Sequence, residues 1–320
     1  MIKLVLIVPC YNEEEVLGHS FSELYSVYRD LTDKKLITPE SRICFVDDGS
    51  SDDTWRIIEN LQHEHKEVIG IRLSRNFGHQ NALVAGLETL HNRFDAYITI
   101  DADLQDDTGV IKEMVEKYRE GNRIVFGVRN DRKADSLIYR KTVQSFYRLM
   151  QKMGDKSIYN HADFRLVDNM ALSEFLRFPE TNLYLRGIFP GIGFRNTNVY
   201  YARKERKAGT SKYPLSKLVA LAWEGITSFS SKPLQLVLVT GVLLFLVAIV
   251  ISVWALVEFI AGNTLRGWFS TIIPLTLFGG IQMLSLGIIG EYIGKMYLEV
   301  KGRPRFIIEE IKGMDGKEKE

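Results

Sequence analysis

Three acidic turns carry the densest chemistry in the sequence. Pro9-Cys10-Tyr11-Asn12-Glu13-Glu14 follows the apolar run Lys3–Val8. Asp47-Asp48-Gly49-Ser50-Ser51-Asp52-Asp53 follows Arg42–Val46, and Asp101-Ala102-Asp103-Leu104-Gln105-Asp106-Asp107 follows Ala96–Ile100. One such turn reads as a helix cap or a solvated loop. Three at neighbouring strand ends concentrate carboxylates, which is costly unless a cation neutralises them. In an extended chain, alternation puts Asp101 and Asp103 on the same side. Hard oxygen ligands of this kind suit Mg2+ or Mn2+ bridging a diphosphate. No G-x-G-x-x-G follows the first strand and no P-loop is present, which disfavours a dinucleotide fold.

The elements that position these turns alternate. Strands are predicted at Lys3–Val8, Arg42–Val46, Val68–Leu73, Ala96–Ile100 and Arg123–Gly127. Helical patterns occupy Glu14–Leu31, Asp53–His65, His79–His91 and Gly109–Glu120, with Thr54 and Thr108 near helix starts. This alternation predicts an α/β domain with a mostly parallel sheet and helices on both faces. Ligands bind such sheets at the carboxyl ends of the strands, where the acidic turns fall. Cys10 and Cys44 lie in or beside apolar strands and read as packing residues. His79 and His161 lack metal-ligand spacing and read as hydrogen-bonding residues.

The 320-residue chain has a net charge of +1 and is 25% charged. It shows no basic surplus of the kind a nucleic-acid binder needs. Two cysteines cannot build a disulfide framework. The averages conceal a block, residues 234–290, whose only charges are Glu258 and Arg266. Leu236–Val257 and Trp268–Ile289 contain neither of these and are wholly uncharged, 22 residues each. As helices they would each reach roughly 33 Å, enough for a bilayer core. Their short linker predicts a transmembrane hairpin with both ends on one side. Lys212, Lys217 and Lys232 precede the pair, and Lys295, Lys301, Arg303 and Arg305 follow it. The positive-inside rule then puts both termini in the cytoplasm, with the protein multi-pass in the inner or plasma membrane. The apolar run Leu4–Val8 is too short for a signal peptide.

Two further stripes are amphipathic. Tyr139, Val143, Phe146, Tyr147 and Met150, flanked by Arg140, Lys141, Arg148 and Lys152, read as an interfacial helix at about 135–153. Leu215, Leu218, Val219, Ala222, Trp223, Ile226 and Phe229 read as a juxtamembrane helix within 213–233. Both could instead pack on the sheet or on each other in a homo-oligomer. The expected organisation is a catalytic domain over 1–212, this helix, two spans within 234–290, and a tail over 291–320 that frays from Lys312.

Taken together, the motifs "VPCYNEE", "VDDGSSDDT", "LSRNFGHQNAL", "DADLQDD", "DFRLVD", "RKERKAGTSKY" and "GEYIGKMYLEVKGRP", with the paired spans, resemble family 2 glycosyltransferases of the GT-A type. More narrowly, they are similar to polyprenyl-phosphate glycosyltransferases: the bactoprenol glucosyltransferases and dolichyl-phosphate mannose synthases. The resemblance covers nearly the whole chain, and the doubled span favours the bactoprenol type. Asp107-Thr108 stands where the family often has Pro; both can open a helix.

The resemblance implies roles. Asp48 would contact the base or ribose, with Pro9, Tyr11, Asn12, Glu13, Gly49, Asp101 and Ala102 completing the nucleotide-sugar pocket. Asp103 would bind the cation, with Asp101 and Gln105. Asp163 would be the carboxylate beside the sugar, or else a structural partner of Arg165. Arg129, Arg206, Ser211 and Lys212 would hold the acceptor phosphate. The implied reaction is inverting, metal-dependent transfer of a sugar from a nucleotide-linked donor, UDP the expected nucleotide, to undecaprenyl or another polyprenyl phosphate. Glucose is the first expectation, N-acetylglucosamine the second and an aminoarabinose derivative the third. A lipid-linked product made inside and used outside also implies a flippase and a downstream transferase. Competing readings are a processive polysaccharide synthase, whose Q-x-x-R-W signature is missing, and a catalytically silent membrane scaffold. Two spans with almost no polar residues offer no path for a transporter.

Overall fold

A computed structural model of the chain describes residues 1–130, 161–180, 185–202, 232–261 and 268–314. The predicted interfacial helix, the juxtamembrane helix, and Arg206, Ser211 and Lys212 lie outside the described residues.

The described residues form two compact units. The first comprises residues 1–151, 156–212 and 303–320, and the second 152–155 and 213–302. The first begins as strand and helix in alternation: β1 (Leu4–Cys10), α1 (Leu17–Asp33), β2 (Arg42–Asp47), α2 (Thr54–Glu64), β3 (Val68–Leu73), α3 (His79–Leu90) and β4 (Ala96–Thr99). A 3-10 turn at Thr108–Val110 leads into α4 (Ile111–Arg119) and β5 (Ile124–Arg129). Then come β6 (His161–Asp168), α5 (Asn169–Leu176), α6 (Leu185–Gly191), β7 (Asn196–Tyr201) and, from the far end of the chain, β8 (Ile308–Lys312). Among the described residues these strands make one sheet in the order β7-β5-β6-β4-β1-β2-β3-β8.

The sequence pattern explains the centre. Every residue of β1 is buried, as expected of a strand covered on both faces. Leu4, Leu6 and Val8 join the core that α1 covers with Leu17, Phe21, Leu24 and Leu31. Full burial of each such side chain stabilises by about 1.5–3 kcal/mol. On the opposite face α3 lies so close that a Cβ on Gly86 would approach Ile7 Cγ2 at 2.7 Å. The strands β3, β2, β1 and β4 run parallel, with Cys10 opposite Asp47 and Ile7 opposite Thr99. All three acidic turns therefore leave one edge of the sheet together. Cys10 and Cys44 are free and buried, and burial pushes both thiols up, as packing residues require.

Periodicity does not foresee β6, β7 and β8. β6 is antiparallel to both β4 and β5, and β8 is antiparallel to β3. Both have the buried or alternating patterns of strands, but their partners are set by register across long stretches of chain. The segment 291–320 is not one tail. Helix α8 (Trp268–Val300) outruns the expected span end at Ile289, and Ile308–Lys312 is paired strand. Lys312, where fraying was expected to start, pairs with Glu59 on α2.

The second unit contains α7 (Lys232–Ile260) and α8, which include the two uncharged 22-residue segments. Within α8, Leu277–Val300 is long and apolar enough to cross a membrane.

Gly49 turns the chain after β2 with φ +67°, and a Cβ there would collide with the Arg75 backbone. Gly49→Ala is expected to lower stability by more than about 1 kcal/mol. Gly18→Ala, on the open surface of α1, is expected to be neutral or stabilising by up to about 1 kcal/mol. Thermal unfolding of the solubilised protein compares the two.

Candidate active site

The β1–α1 and β2–α2 turns are laced together. Asn12, at φ +53°, accepts a hydrogen bond from the Ser51 N–H (2.9 Å), and its own N–H donates to Ser50 Oγ (2.9 Å). The Glu13 N–H donates to Thr54 Oγ1 and the Asp53 N–H to Glu14 Oε2. Tyr11 is left about half exposed at the mouth, while Pro9 is buried within β1. Asp48 is buried, and its two oxygens accept from the Phe77 N–H (2.7 Å) and Gly78 N–H (2.9 Å). Its carboxylate thus ties the loop after β3 to the turn that the resemblance assigns to the nucleotide.

The D-x-D segment is a turn and not the extended chain that alternation assumed. β4 ends at Thr99, the Leu104 N–H donates to the Asp101 carbonyl (3.2 Å), and Leu104 takes φ +43°. A left-handed non-glycine residue is unusual and concentrates at functional turns. Buried Ser20 on α1 supports the turn by donating to the Ala102 carbonyl. Gln105 donates through Nε2 to Asp103 Oδ2 (2.7 Å), so it orients that carboxylate.

β6 supplies the next carboxylate through its register. Thr99 pairs with Arg165 and Thr99 Oγ1 donates to the Asp163 carbonyl, so Asp163 lies beside the end of β4. Asp163 is buried between two guanidinium groups. Its Oδ1 accepts from Arg165 Nη2, and its Oδ2 accepts from Arg186 Nη2 on α6 at 2.8 Å. Burial opposes its charge, but the flanking Arg186 and Arg165 hold the carboxyl well below the usual carboxylate range. Asp163 is thus salt-bridged to Arg165, the structural alternative to a role beside the sugar. Sequence inspection missed Arg186. Its signal was a lone cation in the apolar run Leu183–Phe189.

Asp101 is treated in the opposite way. Its Oδ1 is shielded from solvent without a hydrogen-bond partner, 3.4 Å from His79 Nε2. Desolvation, opposed by His79 and reinforced by Asp163, Asp106 and Asp103, pushes its carboxyl up to about 6. His79, the first residue of α3, also comes within 3.9 Å of Asp163 Oδ2 and bridges the two carboxylates. His161 departs from expectation. Neither ring nitrogen has a hydrogen-bond partner, the ring packs edge-on to Phe126, and burial together with Arg165 and Arg186 keeps it neutral. Arg129 is engaged by Asp106 (2.8 Å), which also accepts from the Tyr201 hydroxyl.

These groups fit a divalent cation. Among the described residues no three His, Cys, Asp or Glu side chains converge on one point. Mg2+ is commonly held by one or two carboxylates with the remaining ligands from phosphate and water. Asp101 and Asp103 match that pattern, and Asp101 Oδ1, shielded and without a hydrogen bond, offers such an ion an acceptor.

The family comparison agrees with this architecture. Glycosyl transferase family 2 matches residues 5–176, and the GtrB C-terminal hairpin matches residues 232–296. The chain belongs to glycosyl transferase family 2 and is a glycosyltransferase with a GT-A α/β fold. The Bacillus subtilis (strain 168) glycosyltransferase YkoT is 49% identical over 306 residues, covering 96% of this chain and 91% of that protein. A prophage bactoprenol glucosyl transferase homolog of Escherichia coli (strain K12) is 39% identical over 313 residues, covering 97% and 100%. Among solved structures, the Pyrobaculum calidifontis mannosyltransferase PcManGT is 16% identical with a TM-score of 0.47, covering 94% of this chain and 86% of that one.

Neutralising the two carboxylates should change stability in opposite directions. A raised folded-state value means the cation-free protein loses stability as pH rises through about 6 and Asp101 ionises. Asp101→Asn is therefore expected to stabilise the cation-free protein at pH 8. Asp163→Asn leaves two arginines facing no anion and is expected to destabilise by about 3–5 kcal/mol. Denaturant unfolding at pH 8 measures both, and both variants should lose transfer.

Proposed function

We propose that the protein transfers a sugar, glucose first among the candidates, from a UDP-linked donor to undecaprenyl or another polyprenyl phosphate at the cytoplasmic face of the membrane. The observation that carries this is the pair of adjacent carboxylates with opposite compensation, Asp163 neutralised by arginines and Asp101 awaiting a cation. The relatives named for bactoprenol glucosyl transfer, which align along nearly all of this chain, support the acceptor class.

Asp101 and Asp103 would hold Mg2+ or Mn2+, which would supply positive charge to the departing diphosphate. The remaining work falls to the chain. Tyr11, Asn12, Glu13, Asp48, Gly49 and Ala102 frame the nucleotide, with Pro9 fixing the end of β1. Gln105 keeps Asp103 oriented. Asp163 stays ionised and fixed by its two arginines, so it orients the sugar and donates no proton. A lipid phosphate is already anionic and needs little help from a base. Arg206, Ser211 and Lys212 hold that phosphate, with Arg129 steadied by Asp106. A single in-line displacement inverts the anomeric centre.

The return of the chain into the sheet as β8 supports a hairpin whose two ends lie on the same side. Together with the basic flanks, it supports cytoplasmic termini. A flippase and a downstream transferase belong to the same proposal, because the lipid-linked sugar forms on the inner face.

Membranes containing the protein, given labelled UDP-glucose and undecaprenyl phosphate, should yield an organic-extractable, mild-acid-labile product. A panel of other UDP-sugars should give less. Asp103→Ala should lower transfer by about 100-fold or more. Polymer would point to a processive synthase, no transfer from any sugar to a scaffold, and near-normal transfer by Asp103→Ala would remove the cation from the mechanism.

A further inference from the structure

The segment after α8 lies beyond both family-matched regions, yet it is built into the sheet beside the acidic turns. Arg72 on β3 is opposite Asp47 in the parallel register and opposite Glu310 in the antiparallel one. Arg72 pairs with Glu310 and Leu73 with Ile308, so Glu309 is the extra residue of a β-bulge. Bulges re-aim side chains. Here Glu309 comes within 3.5 Å of Arg72 Nε, and the same nitrogen is 3.7 Å from Asp47 Oδ2. Arg72 also lies over the Trp55 ring, 5.7 Å from its centroid.

Asp47 is fully buried, and its other oxygen accepts from the Ser50 N–H (3.2 Å), which shapes the turn carrying Asp48 and Gly49. The C-terminal segment reaches the same turn by a second route. The Ser74 N–H donates to the Ile307 carbonyl (2.9 Å), fixing the start of the loop whose Phe77 and Gly78 N–H groups grip Asp48. That loop then delivers His79 to Asp101 and Asp163.

We propose that Arg72 is a positioning residue for the donor nucleotide and that β8, through Glu309, is its outer support. The strand that follows the hairpin thereby forms part of the donor site, acting on it without touching the ligand. This deepens the reading of the site as a nucleotide-sugar site and rests on it.

The test uses the full-length solubilised protein with Mn2+, titrated with UDP by calorimetry and assayed for transfer. Arg72→Met should weaken UDP binding and raise the donor KM by about 10-fold while kcat changes far less. Arg72→Lys keeps a cation between the carboxylates and should recover most of the affinity. Glu309→Gln, a surface change that leaves folding intact, should shift KM in the same direction by about 3-fold. UDP affinity unchanged in Arg72→Met and Glu309→Gln, with only a lower unfolding temperature, would overturn the proposal. Wild-type protein that binds neither UDP nor any other nucleoside diphosphate would overturn the nucleotide-sugar reading, and this proposal with it.

Discussion

Crowding of carboxylates at one edge of a parallel sheet is the constraint on which the rest of the structure depends. Carboxylates brought together away from water repel one another and lose hydration, so each needs a compensating partner. Asp48 takes two backbone N–H groups, Asp106 takes Arg129 and the Tyr201 hydroxyl, and Asp163 takes two guanidinium groups. Asp101 Oδ1 is shielded from solvent with no hydrogen bond, and Asp106, although held through Oδ1, leaves Oδ2 in the same state. A site arranged in this way is most stable with its ligand bound. That trade of apo stability for binding is common at functional sites.

The compensation also divides the labour. A carboxylate clamped by two arginines remains charged at any physiological pH and is unsuited to carrying protons. The neighbouring Asp101, easily neutralised and poorly bonded, is suited to exchange a proton for a metal ion. His79 stands between the two, and Leu104 holds the D-x-D turn in a conformation that only a well-supported loop sustains. Support comes from Ser20 on α1 beneath Ala102 and from Gln105 beside Asp103.

Local patterns made much of this legible in the sequence. The runs at Lys3–Val8, Arg42–Val46, Val68–Leu73 and Ala96–Ile100 are strands because they are short and mostly apolar, and the acidic turns follow three of them. Register was not legible. Asp163 reaches Asp101 because β6 runs antiparallel to β4, and β8 reaches Arg72 across more than two hundred residues of chain. No local periodicity encodes such pairings. Alternation misjudged Asp101–Asp103 because the strand stops at Thr99, before either carboxylate. His161 was read as a hydrogen-bonding residue by residue type, and the packing against Phe126 overrode that preference.

The central claim is that Asp101 trades a proton for a divalent cation. Calorimetry of Mn2+ binding with UDP-glucose present, whose diphosphate has no group titrating near pH 6, repeated in buffers of different ionisation enthalpy, counts the protons released. With the carboxyl pushed up to about 6, binding at pH 6 should release about half a proton per ion, and binding at pH 8 almost none. Asp101→Asn should abolish that release. Equal proton release at both pH values, or release unchanged in Asp101→Asn, would contradict the account.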